Sequence, residues 1–169
     1  LLSLCEQKYS LSADLIFRYA TEAKKLSQNE SNETNTILAD YFIAYSMVIN
    51  SKEDSSLLMA NYYLEKLKNR NGEKENYMRF LHLKGVVFYR TNKTKESINT
   101  YYDLLNTAQR FNDTSYILIA NRGISLAYIL NGQDREGIKI FNSAIQLIGK
   151  NVPEKYREIY GLLQINATT

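Results

Sequence analysis

The sequence predicts an all-α chain, and three observations carry that expectation. Helix breakers are scarce, with one proline and seven glycines in 169 residues. Apolar residues recur at four-then-three spacing, which places them on one stripe of a helix of 3.6 residues per turn. Short polar stretches interrupt these stripes at regular intervals, where helices would stop and restart.

Taken in order, the pattern predicts helices over residues 1–10, 13–28, 35–50, 55–69, 74–90, 95–111, 114–131, 134–150 and 154–165. The first is the end of a helix whose beginning is expected upstream of Leu1, since the chain does not open on Met. The second carries the stripe Ala13, Phe17 and Ala20, a small residue on either side of an aromatic, which leaves room for a second helix to approach closely. The same spacing returns in Ala60, Leu64 and Leu67, in Ser97, Tyr101 and Leu104, and in Gly137, Phe141 and Ala144. Each of the last three copies follows a helix with a small residue three before a large one: Ala44 and Met47, Gly85 and Phe88, Ser125 and Tyr128. Gly85 to Ser97 and Ser125 to Gly137 are both twelve residues, whereas Ala44 to Ala60 is sixteen, an extra helical turn. The turns within pairs are INSKEDS, RTNKTKE and LNGQDRE, and those between pairs are QNESNET, KNRNGEKE, RFNDTS and GKNVPE. Asn131-Gly132 is a strong stop, Asp134 is placed to cap the helix that follows, and Pro153 suits the first turn of the last helix.

A chain of this length buries a real core, and 44% hydrophobic with 23% charged residues is globular composition. A net charge of +3, evenly spread, names no nucleic-acid partner, and no apolar run is long enough to span a membrane. Cys5 is the only cysteine, so no internal disulfide forms. The opening LLSLC matches only part of a lipoprotein signal, because Leu4 stands where a small residue is wanted. Five glycosylation sequons, at Asn29, Asn32, Asn92, Asn112 and Asn166, read as loop and cap residues in an Asn-rich chain. For catalysis, the inventory is thin. His82 is the only histidine, far in sequence from Cys5, and neither a phosphate loop nor a metal-ligand spacing is present, so catalytic residues, metals and cofactors are not expected.

On the small-aromatic-small copies and the paired helices, the chain resembles the tetratricopeptide repeat family. Helix B of that family matches well in Ala13, Phe17, Ala20 and in Gly137, Phe141, Ala144, while Leu67 and Leu104 replace the last small residue in the middle copies. Units of about 40 residues exceed the family's 34, and armadillo-like or other helical solenoids stay open as alternatives. The resemblance implies a single domain over 1–169, with units 1–33, 34–72, 73–112 and 113–152 and a partial helix at 153–169, stacked as antiparallel hairpins in a right-handed superhelix. It implies a concave groove lined by the first helix of each pair. Carried over by position, the groove residues are Tyr41, Tyr45, Arg79, His82, Tyr89, Arg90 and Arg122, a set suited to a peptide with apolar anchors and a carboxylate. The Lys and Asn clamp of chaperone-binding members is replaced by Tyr41, Tyr45, His82 and Val86, which disfavours that specialisation. The expected function is a non-enzymatic protein- or peptide-binding module, resembling the repeat regions of bacterial signalling proteins that precede a helix-turn-helix or histidine-kinase output domain. The rival reading is a structural assembly subunit that stacks on another copy or another domain through its end hairpins. A cytoplasmic location is the default, and a periplasmic one would follow from a membrane-anchored parent.

Overall fold

A computed structural model describes residues 1–7 and 10–148, and every described element is helical. The helices are α1 (Leu2–Cys5), α2 (Ala13–Asn29), α3 (Glu33–Ile49), α4 (Glu53–Leu67), α5 (Lys74–Arg90), α6 (Thr94–Arg110), α7 (Thr114–Leu130) and α8 (Asp134–Ile148), with a 3-10 turn at Asn71–Glu73 before α5. From α2 onward the helices begin at residues 13, 33, 53, 74, 94, 114 and 134, each 20 or 21 residues after the last. The first helix stops at Cys5 rather than continuing to residue 10. The predicted helix over 154–165, Pro153, Asn166 and the unit at 153–169 lie outside the described residues.

One device closes five of the junctions. Ser31, Ser51, Asn92, Asn112 and Gly132 take positive φ, between 53° and 72°. The amide of the residue after each donates five residues back around the turn: Asn32 to Ser27 O, Lys52 to Met47 O, Lys93 to Phe88 O, Asp113 to Ala108 O and Gln133 to Tyr128 O, all at 2.8–2.9 Å. This is the Schellman motif, which satisfies carbonyls that the ending helix leaves open. Asn32 and Asp113 then serve twice, because their side chains cap the next helix by accepting from Asn35 N and Tyr116 N. Glu53 and Asp54 of α4, and Asp134 and Glu136 of α8, lie in first turns where their charge meets the helix dipole. Asp134 is thus a first-turn residue of α8.

The chain divides into two compact units, Leu1–Val87 and Phe88–Thr169. In the first, α1 packs on α2 and α3, α2 on α3, and α3 on α4. Its core gathers Cys5, Ile16, Ala20, Ile37, Tyr41, Phe42, Ala44, Ala60, Tyr63, Leu67, Phe80 and Leu83. In the second, α6 packs on α7 and α7 on α8. There the eighth residue of α6, Tyr101, lies against the tenth of α7, Gly123, where a Cβ would stand 2.3 Å from the ring. At the next seam Ser125 Oγ donates to Gly137 O at 2.8 Å, so the predicted twelve-residue pair of small residues is a direct contact between α7 and α8.

Burial resets two copies of the stripe. α2 buries Ala13, Ile16, Ala20, Ala23 and Ser27, while Phe17 is 44% exposed. α4 buries Ser56, Ala60, Tyr63 and Leu67, leaving Leu64 half-buried. Counted from each helix start, the equivalents of Ser97, Tyr101, Leu104 and of Gly137, Phe141, Ala144 are Ile16, Ala20, Ala23 and Ser56, Ala60, Tyr63. The extra turn inferred between Ala44 and Ala60 disappears, since Ala44 to Ser56 is again twelve residues. The small residues Ala44, Gly85 and Ser125 are all buried, at the twelfth position of α3, α5 and α7.

Candidate functional site

The most elaborate polar arrangement in the first unit centres on Asp40, buried in the apolar run ILADYFIAY of α3. Lys24 of α2 donates to its Oδ1 at 2.8 Å, and the Tyr63 hydroxyl of α4 donates to its Oδ2. Both carboxylate oxygens are therefore committed, and three helices are pinned to one charge. Burial, and then the Asp40 carboxylate that accepts its proton, push the Tyr63 phenol well above the ordinary tyrosine range. A carboxylate taken out of water is costly unless paired, so the cluster reads as a structural pin.

Aromatic rings continue from that pin. The Tyr63 ring stacks on Phe80 of α5, with centroids 4.6 Å apart and 13° between planes. Phe80 meets Tyr41 edge-on at 5.8 Å, and Tyr41 lies 6.3 Å from Tyr45. The Arg79 guanidinium stands 5.6 Å over the Tyr41 ring, within reach of its electron-rich face. Arg79 also pairs with Glu75 of its own helix at 2.8 Å and with Glu6, just beyond α1, at 2.9 Å.

A second set of ties surrounds the irregular junction before α5. Glu73 is buried and accepts from Thr34 Oγ1 and from Asn76 Nδ2. Glu33, at the start of α3, takes a two-pronged contact from Arg70 and a third from Lys66, and these hydrogen bonds lower its carboxyl to about 2.

Of the seven groove residues expected from the sequence, the structure brings three together: Tyr41, Tyr45 and Arg79. Tyr41 is only 1% exposed, so its ring is a packing surface. Tyr45 is half-buried, Arg79 keeps 14% of its side chain exposed, and His82 is half-buried on α5. In the second unit Tyr89 and Arg122 are half-buried and Arg90 is exposed. A cavity of about 410 Å³ lies elsewhere, against α2, lined by Leu1, Phe17, Arg18, Tyr19, Thr21 and Glu22.

Sequence reasoning passed over Asp40, Lys24 and Glu6, and it reads Tyr63, beside Tyr62, as a packing residue whose hydroxyl reaches the surface, whereas that hydroxyl is turned inward onto Asp40. One signal was available for Asp40, a lone carboxylate in an apolar helix, which demands partners when buried. No comparable signal marks Lys24 or Glu6, whose partners are 16 and 73 positions away. None of the described helices is long and apolar enough to cross a membrane. Comparison with protein-family models, curated proteins and solved structures returned no match.

Proposed function

We propose that the chain is a non-enzymatic repeat module of the tetratricopeptide-like solenoid class that binds a protein or peptide segment on the first helices of its pairs. One observation supports this above the rest: seven helices start 20 or 21 residues apart, five of their junctions closed by the same turn. Such regularity is what a stack of identical hairpins requires, because each buries its apolar face only against its neighbours. In this reading Tyr45 and His82, both half-buried, and Arg79, 14% exposed, belong to a binding surface for an apolar side chain beside a carboxylate, which would compete with Glu6 and Glu75 for Arg79. A place in a larger bacterial regulator belongs to this reading as an analogy of composition and repeat length alone.

Selection of random peptides against the chain tests the proposal. Peptides so obtained are expected to be acidic, and Tyr45→Ala should weaken their binding about tenfold, the loss of one partly buried aromatic anchor, with the helical circular-dichroism signal unchanged. An unfolded variant would make Tyr45 core and remove the surface. The rival reading, an assembly subunit, draws on Leu58 and Tyr62, which lie one turn apart on α4 and are 71% and 61% exposed. Sedimentation showing self-association that Leu58→Ser abolishes would favour it.

A further inference from the structure

A chain built from one helix-and-turn unit has a pairing problem. Helices α2 to α8 start 20 or 21 residues apart, and small residues recur at equivalent positions, so apolar seams alone distinguish poorly between a right neighbour and one a repeat further along. Repeat chains fail characteristically by docking or swapping such elements wrongly. Asp40 breaks the symmetry. Asp40 and Glu73 are buried carboxylates among the described residues, and of the two only Asp40 stands in a repeat helix, Glu73 lying in the 3-10 turn. Asp40 is the eighth residue of α3, and its donors are the twelfth of α2, Lys24, and the eleventh of α4, Tyr63. Around α7 the same positions carry no equivalent. The eighth residue there is Asn121, whose amide donates to Ile117 O of its own helix at 2.8 Å, while the twelfth of α6 is Leu105 and the eleventh of α8 is Ala144. In α5 the eighth position is the buried Leu81. Set between α6 and α8, α3 would bury Asp40 beside Leu105 and Ala144, whose side chains hold no donor, and a carboxylate so placed is strongly disfavoured.

We propose that Lys24, Asp40 and Tyr63 form a register lock: they admit α3 between α2 and α4 and bar it from the equivalent slot of its own chain or of a second copy, while adding little to the stability of the correct fold. The second half follows from the desolvation of a carboxylate and its partners, which their mutual attraction only offsets. The lock goes beyond the binding reading and depends on the repeat spacing alone, whatever the chain binds.

The test removes all three polar groups together, since removing one would strand another. In the full chain, Lys24→Met, Asp40→Leu and Tyr63→Phe combined should keep the helical circular-dichroism signal and a melting midpoint no lower than that of the native chain. Refolded from urea at micromolar concentration, the native chain should return to its starting species, whereas roughly a tenth or more of the triple variant should return as dimers that have exchanged helices between copies. Those dimers should persist on dilution and revert only through unfolding, which separates them from weak contact through the new apolar side chains. A triple variant that exchanges no more than the native chain overturns the lock, because apolar packing then sets the register by itself. Dimers that dissociate on dilution overturn it as well, being ordinary association. A lowered midpoint, or failure to fold at all, would make the cluster a stabiliser instead. None of these results bears on the binding reading, which fails separately if selected peptides ignore Tyr45→Ala.

Discussion

Ser56 shows how size and chemistry separate at a single position. It is the fourth residue of α4, fully buried, and its hydroxyl has no hydrogen-bond partner. Its counterparts in α6 and α8 are Ser97 and Gly137, both small, and Gly137 meets the Ser125 hydroxyl from the preceding helix. The twelve-residue partner of Ser56 is Ala44, which offers no polar atom on its side chain. In α4, α6 and α8 the position holds a side chain small enough to let two helices close up, whereas α2 places Ile16 there, and in α4 the oxygen is surplus. An unpartnered buried hydroxyl costs about 1–3 kcal/mol, so Ser56→Ala should stabilise the chain by about 1 kcal/mol and raise its melting midpoint by roughly 2–4 °C. Thermal denaturation followed by circular dichroism measures this, and a lowered midpoint would mean that the hydroxyl is bonded in solution. The neighbouring Tyr63 hydroxyl is the opposite case, since without it one oxygen of buried Asp40 would lose its donor.

Where helices meet, the repeat conserves total volume more than residue identity. At the seam of α6 and α7 the large partner is Tyr101 and the small one Gly123; at the same positions of α2 and α3 the small one is Ala20 and the large one Phe42. A methyl group at Gly123 would stand 2.3 Å from a ring that is only 4% exposed, so it cannot be absorbed by swinging the ring into solvent. Gly123→Ala should therefore destabilise by about 1–3 kcal/mol, although alanine is the better helix former by about 1 kcal/mol. In a Tyr101→Ala background the obstruction is gone and the same substitution should become stabilising. Urea denaturation of the four proteins in this cycle gives the coupling, and additive effects would show that the two side chains do not meet.

This exchange also explains what could be read in the sequence. Helix limits were legible to within about two residues for α2 to α7, because polar turns punctuate them, and the Ser125 to Gly137 contact was legible as a spacing of small residues. The register of the first two stripes was not. A stripe with steps of three and four maps onto itself when shifted by a turn, so Ala13, Phe17, Ala20 and Ile16, Ala20, Ala23 fit equally well until burial chooses. The same ambiguity hid the face of α3, where Tyr41 and Tyr45 look alike in sequence but only Tyr41 is wholly enclosed. Long-range ion pairs such as Glu6 with Arg79 have no local signature at all.

Across the whole chain the repeated unit is a helix plus one turn, and the turn is where the sequence is least suited to its geometry. Five junctions use the same left-handed residue, yet glycine occupies it only at Gly132; the others are Ser31, Ser51, Asn92 and Asn112. That is why, of the five, only Gly132 was marked beforehand by its residue type as a left-handed stop. A side chain in this conformation costs about 1–2 kcal/mol, less for asparagine, while glycine loses about 0.5–1 kcal/mol of extra chain entropy on folding. Glycine should therefore gain about 0.5 kcal/mol at each serine and less at each asparagine. The residues that follow, Asn32 and Asp113 among them, keep their capping bonds, because those bonds come from their own side chains. Since the four turns share no partners, the gains should add, and a chain with glycine at all four should be more stable by about 1–2 kcal/mol. The matching loss is expected from Gly132→Ala, at about 1 kcal/mol. Equilibrium unfolding of the single and combined variants tests both directions, and serine turns that lose stability on becoming glycine would show that they do not hold the left-handed geometry in solution.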